Sequence, residues 1–384
     1  MDKYQWSRSQ GLSLVELLVA LAVVGLFATA VFTFFLQTSQ SVGQQSASGE
    51  MWQRGRSAMA LLRQAIESAG YGLPSYSQCP NGVVGINDLT GTANALTAIT
   101  ASPITVSGVN TWQINTVIGG GSYGGDPATT VLSQQGTNIS VANAAPLNPG
   151  DIAMIALPGI GVCVQGQITN VAGKGTLNNS CTVTGNANAQ GNGTVVFNSG
   201  KGNSTCFQAN PNQLFSLVNT TSAGNVSSSA FAGANLYDLG AQDFLFQTFQ
   251  IQENPAGSTP TLYLTQYTGL QSTAPAPQAL ATGVVDLQLL YGLGSNGSVQ
   301  KWVSPSNYTP SAAQQIIAVQ LALLIRGTQY LPNSRSPASF NLLGQTYTVP
   351  TSNGPGCLQG NCRHYEYHLF QTIIPVRNGI WQGN

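Results

Sequence analysis

The sequence is poorest in charge. Only 12 basic and 12 acidic side chains occur in 384 residues, or 6% of the chain, against about 25% in an ordinary soluble domain. Lys174 and Lys201 are the only cations between Arg63 and Lys301. A surface that tracks nucleic-acid phosphates is thereby excluded, and no nucleic-acid partner is expected. Acids are as sparse, with Asp88, Asp126, Asp151, Asp238, Asp243 and Glu253 the only ones in residues 68–285. The one G-x-S-x-G match, at 120–124, falls in a glycine-rich stretch that reads as a turn, and paired catalytic carboxylates have few acids to draw on. The chain is therefore read as a non-enzyme without a cofactor. Acid unfolding works mainly by protonating carboxylates that are ionised and paired in the fold. So few acids predict a stability that varies little with pH, as would suit an acidic exterior.

Histidine is nearly absent too. Both copies, His364 and His368, follow Cys357 and Cys362 in a C-x4-C-x-H-x3-H pattern, which has the right elements for zinc. On a strand, His364, Glu366 and His368 would share one face. In an exported chain, however, a close cysteine pair is read first as a disulfide, and no metal is assigned. The glycines of "GGGSYGGD" at 119–126 lack the Lys-Ser/Thr of a phosphate loop and read as a turn.

Long apolar runs are also scarce, with one exception. Leu12 to Leu36 contains Glu16 as its only charged side chain. As a helix at about 1.5 Å per residue it would cross a hydrocarbon core of ~30 Å. Lys3 and Arg8 outweigh Asp2 on its N-terminal side, so the positive-inside tendency holds that end in the cytoplasm and exports the rest. The run is too long, and stays apolar too far, for an ordinary secretory signal.

The exported part is read as folded. Disordered chains combine few apolar residues with high net charge, whereas this one is 42% hydrophobic with a net charge of zero. Six cysteines, Cys79, Cys163, Cys181, Cys206, Cys357 and Cys362, favour disulfides in an oxidising compartment. Fifteen full pairings are open. Sequence proximity suggests Cys357 with Cys362 and Cys163 with Cys181, leaving Cys79 with Cys206.

After the apolar run, helical periodicity resumes in "EMWQRGRSAMALLRQAIESAG". Met51 or Trp52, Gly55, Met59, Leu62, Ile66 and Ala69 fall on one stripe, and Gly70 is placed to end it. From Pro74 the signals turn to short β-branched and aromatic runs separated by Gly, Asn and Pro. The strongest begin near 283, 316 and 364 and are predicted core strands. Residues 173–235 are low in complexity and are expected to form long surface loops.

"GLSLVELLVAL" resembles the N-terminus of type IV pilin-like proteins. Further on, "LLRQAIESAGYG", "NPGDIAMIAL", "GVVDLQLLYGLGSNGSVQKW", "IIAVQLALLIRG" and "QTIIPVRNG" resemble blocks of the PilW-type minor pilins. The resemblance implies cleavage between Gly11 and Leu12 by a prepilin peptidase, N-methylation of Leu12, and a role for Glu16 in setting the register of packed subunits. The first mature residue in this family is usually Phe; here it is Leu12. Thr33 stands where many major pilins have a helix-kinking proline.

The implied fold is α+β and pilin-like, with a long N-terminal helix, transmembrane and then amphipathic, packed on an antiparallel sheet with long polar loops. The expected organisation is a cleaved leader at 1–11, a transmembrane helix at 12–36, its amphipathic continuation at 37–70, and a β-rich exported domain at 71–384. The implied function is that of a minor pilin in pilus initiation and assembly. Alternatives are a minor pseudopilin of a type II secretion system, or a pilus-associated adhesin that uses the insertions at 79–240. The implied partners are other minor pilins, the major pilin, the prepilin peptidase and methyltransferase, an inner-membrane assembly platform and membrane lipid. The location implied is the inner membrane with the C-terminal domain in the periplasm, then the pilus and cell surface.

Overall fold

The computed structural model describes residues 14–85, 92–94, 96–121, 126–157, 159–178, 180–186, 193–197, 206, 219–222, 226–255, 257–270, 275–295, 297–310, 315–331, 335–351 and 361–377. One α-helix, α1, spans Leu14–Ser68. The chain divides into two compact units, residues 1–51 and 52–384.

The first unit carries α1 from Leu14 to Met51. Every side chain from Leu14 to Phe35 is exposed. Backbone hydrogen bonds within a helix are self-contained, which makes such a segment tolerable in lipid. Its few hydroxyls are satisfied the same way. Thr29 Oγ1 donates to the Gly25 carbonyl at 2.6 Å and Thr33 Oγ1 to the Ala30 carbonyl at 2.9 Å. Thr33 therefore keeps its backbone N–H in the helix, as a proline could not.

In the second unit α1 continues from Trp52 and buries one stripe. Gly55, Ala58, Leu62, Ala65, Ile66 and Ala69 are buried, whereas Met59 is half-buried and Arg56, Arg63 and Gln64 are exposed. The expected stripe is thus corrected at Met59: alanines at 58 and 65 let the helix approach the sheet closely, and the longer side chain flanks the contact. The helix ends at Ser68, and Gly70 takes φ +80°, a left-handed position that costs glycine little. Its N–H donates to the Val117 carbonyl at 2.8 Å, tying the helix end to a strand.

That helix lies on a four-stranded antiparallel sheet ordered Ser298–Val303, Val284–Ser295, Gln315–Arg326 and Tyr367–Pro375. The three runs predicted as core strands are the last three of these. The third starts later than expected, at Tyr367, because Cys362–His364 forms a 3-10 turn. Leu321, Leu323, Ile325, Leu287 and Leu289 are all buried in its middle. A hairpin, Ser339–Leu342 and Gln345–Thr348, contributes Leu342 and Tyr347 to the core on the side where Ala322, Leu324 and Tyr367 lie.

A five-stranded sheet is ordered Gln278–Thr282, Thr261–Thr268, Leu245–Gln252, Val109–Ile118 and Ile99–Val106. Gly283, at φ +87°, switches the chain from it to the four-stranded sheet, and a Cβ there would strike the Arg326 carbonyl. The two sheets are also pinned by a buried polar junction. Thr111 Oγ1 accepts from the Leu287 N–H at 2.9 Å and donates to the Leu287 carbonyl at 3.1 Å.

The rest, between residues 83 and 240, forms an eleven-stranded sheet among the described residues, built around Ile152–Leu157 and Val162–Val171. Both strands are buried almost throughout; the first is continuously apolar, whereas the second also buries Gln165 and Gln167. Val83–Gly85 runs parallel to Val162–Val171.

Two disulfides lie in this region, Cys79–Cys163 and Cys181–Cys206, with Cα–Cα distances of 5.2 and 5.1 Å. The expected Cys163–Cys181 and Cys79–Cys206 pairs are therefore wrong. The physical reason is strand pairing: Val83 lies beside Cys163 across the parallel ladder, which carries Cys79, four residues earlier in the chain, to Cys163 from a distant part of the sequence. Cys362 is disulfide-bonded; Cys357 lies outside the described residues.

Five charged side chains of the exported part are buried: Asp151, Lys174, Asp238, Asp286 and Arg326. Lys174 is buried and donates to the carbonyls of Ala145 and Leu147 and to Asn148 Oδ1. Asp151, also buried, accepts from the Asn148 N–H at 2.7 Å. Burial and the like charge of Asp238 push the Asp151 carboxyl well above its ordinary value. Burial likewise pushes Asp286 up to about 6, against the hydrogen bond it accepts from Gln288.

Candidate functional site: the anchor helix and the sheet beneath its second half

The anchoring element is the segment Leu14–Phe35, 22 residues with a mean hydropathy of 2.5. It is the only described helix long and apolar enough to cross a bilayer. Its apolar exposure is continuous, with Leu14 and Leu26 more than 70% exposed. Apolar surface on that scale is covered by lipid or by partner helices. Glu16 is the one acid in the first turn and the one charged residue of the segment. A carboxylate at the centre of a lipid-embedded helix costs about 2.5–3.5 kcal/mol on insertion scales, and less near an end. Gly11 and Leu12 lie outside the described residues.

In the second unit the helix–sheet contact is made by rings. Trp52 packs on His368 with centroids 3.7 Å apart and meets Phe370 edge-on at 5.2 Å. Phe370 lies against Gly55, where no Cβ stands in its way. Arg56 caps the outer face of Trp52 at 5.5 Å, a cation–π arrangement. At the far end, Glu67 accepts from Arg63 at 2.6 Å and from Arg377 at 3.1 Å, joining helix to the chain beyond the last strand. His368 is consequently a packing residue, and burial lowers its pKa. The strand that would have aligned His364, Glu366 and His368 begins only at Tyr367, and Cys362 is taken by a disulfide. The described residues hold no cluster of three metal-ligating side chains. The ring contacts were the part missed in the sequence, where Trp52 was only an alternative to Met51 on the stripe.

These are the two regions for which known families have counterparts. Residues 6–32 match the prokaryotic N-terminal methylation motif. Residues 248–378 match Type IV Pilus-assembly protein W. The second match takes in the whole four-stranded sheet and its hairpin, while the eleven-stranded sheet falls between the two matches and outside both. No curated protein and no solved structure matches the chain. An apolar N-terminal helix that overlaps the prepilin-type match, joined to an α+β domain, is a type IV pilin-like arrangement and fits a membrane anchor. Residues 248–378 are similar to the PilW type, and the two matches together support a minor pilin associated with the type IV pilus.

Proposed function

We propose that this minor pilin takes part in initiating and assembling the pilus filament. In this reading the chain inserts with its C-terminal domain in the periplasm and prepilin peptidase cuts between Gly11 and Leu12. The new amine at Leu12 is then methylated. Release from the membrane into a growing filament follows on an inner-membrane assembly platform, beside other minor pilins and the major pilin.

The observation that carries the reading is the place of Glu16, the sole charge in an otherwise apolar anchor. Cleavage would create a cation at Leu12, about 6 Å along the helix axis from Glu16. In a bundle of such helices the amine of one subunit can meet the carboxylate of the next, and only at one axial offset. A buried charge with a specific partner position fixes register more sharply than apolar contacts do.

The test is incorporation into filaments. Glu16→Gln and Glu16→Ala should leave membrane levels unchanged and lower the amount recovered in sheared pili at least tenfold. Wild-type recovery of both variants would remove the register role.

A further inference from the structure

Beside the polar junction of the two smaller sheets lies a cleft of about 200 Å³ that is open to solvent. Its walls share Thr97, Ile99 and Tyr308 with a second depression and Pro103, Trp112 and Ser306 with a third. Both depressions adjoin the cleft.

Three properties of the cleft select a ligand. First, none of its described lining residues is charged, so an anionic or cationic ligand would be desolvated without a counter-charge. Second, it presents aromatic faces. Trp112 is half-buried, and its indole N–H is already donated to Gln288 Oε1 at 3.0 Å, which fixes the ring. Tyr308 packs edge-on to Tyr291 with centroids 5.5 Å apart. Third, it holds a polar group that the protein leaves unanswered. Tyr291 is 2% exposed, and its hydroxyl lies beside the Ala101 backbone without completing a hydrogen bond. Buried hydroxyls without a partner are uncommon in native proteins, and each calls for a reason. Thr100, Ser102 and Ser306 add further hydroxyls to the wall.

We propose that this cleft is a binding site for a neutral saccharide, with a pyranose ring stacked on Trp112 and a sugar hydroxyl completing the hydrogen bond of Tyr291. A pyranose has an apolar C–H face for the indole and hydroxyls that both donate and accept, the pairing this wall offers. An extended proline-rich segment also favours aromatic grooves. It fits less well, because its backbone carbonyls need donors and the indole N–H is committed to Gln288.

The experiment uses the full chain in a zwitterionic detergent that carries no sugar headgroup. A panel of neutral oligosaccharides ending in glucose, galactose, mannose or N-acetylglucosamine is titrated against it, with sialylated counterparts and a polyproline peptide alongside. At least one neutral saccharide should bind more tightly than its sialylated form. Trp112→Ala should weaken that binding more than tenfold. Tyr291→Phe, which keeps the ring and removes only the hydroxyl, should weaken it about fivefold, and Trp52→Phe should not change it. The site is overturned if no neutral saccharide in the panel binds, if Trp112→Ala and Tyr291→Phe bind like the wild type, or if the polyproline peptide binds more tightly than every sugar.

Discussion

The ring of Phe370 occupies the space that a side chain on Gly55 would need. Glycine within a helix ordinarily costs about 1 kcal/mol relative to alanine, so its presence here marks a contact worth more than that. Gly55→Ala should destabilise the folded chain by about 1–2 kcal/mol, the helix gain being outweighed by overpacking. In a Phe370→Ala background the sign should reverse, and the same glycine replacement should stabilise by about 0.5–1 kcal/mol. Urea unfolding of the four variants measures both numbers. A destabilising Gly55→Ala in both backgrounds would mean that Phe370 is not what requires the glycine.

The covalent map gives a second prediction. Peptide mapping without reduction should recover Cys79 linked to Cys163 and Cys181 linked to Cys206. The first bond closes a sequence separation of 84 and the second one of 25. Chain-entropy arguments put these at about 4.5 and 3.5 kcal/mol. Replacing both Cys79 and Cys163 by alanine should therefore lower stability more than replacing Cys181 and Cys206. The difference should be larger than the entropy alone gives, since Cys79 and Cys163 are both fully buried while Cys181 is partly exposed.

Mature protein taken from pili offers a third check, at the level of chemistry rather than stability. Mass spectrometry should find an N-terminal peptide that starts at Leu12 and is heavier by one methyl group. A peptide that starts at Met1, from cells with an active prepilin peptidase, would remove the basis for pairing that amine with Glu16.

Much of this was legible in the sequence, and the reasons differ from element to element. The anchor could be read because its signal is local and one-dimensional: 22 described residues with a single charge. The strands at Val284–Ser295 and Gln315–Arg326 could be read because both run through a covered sheet and so are apolar over long stretches. The disulfides could not be read, because the parallel pairing of Val83–Gly85 with Val162–Val171 joins segments 80 residues apart in register, from Val83 to Cys163. Nearness in sequence says nothing about such a ladder. The strands Ile99–Val106, Thr129–Gln135 and Asn235–Gly240 were missed. All three lie in a chain rich in Thr, Ser, Gln and Asn, and Thr129–Gln135 has only Val131 and Leu132 as apolar residues, side by side rather than alternating. The cleft at Trp112 and Tyr291 is a product of how two sheets meet, and no local pattern announces it.

The buried carboxyls predict a pH response that differs from the one scarcity of acids suggests. With few carboxylates the expected profile was flat, but burial gives two of them leverage. Asp286 rises from 3.8 to about 6 because it is desolvated, and Asp151 rises because it is desolvated and faces Asp238. A raised carboxyl in the fold keeps its proton where the unfolded chain has lost it. Its contribution is most favourable below the unfolded value of 3.8 and is lost as pH climbs to the folded value. For Asp286 that window runs from 3.8 to about 6 and corresponds to roughly 3 kcal/mol; for Asp151 it extends higher. His368, lowered by burial, works the other way just below its ordinary 6.5, and Lys174, also lowered, acts between its folded value and 10.5. The net expectation is a chain that melts at a higher temperature at pH 4 than at pH 8. Asp286→Asn, which imitates the protonated acid and keeps an acceptor for Gln288, should flatten that slope between pH 4 and 6 and raise the melting temperature at pH 8. Thermal melts of the wild type and the variant across this range decide it, and a wild type that is more stable at pH 8 than at pH 4 would show that the buried carboxyls are not what governs the acid response.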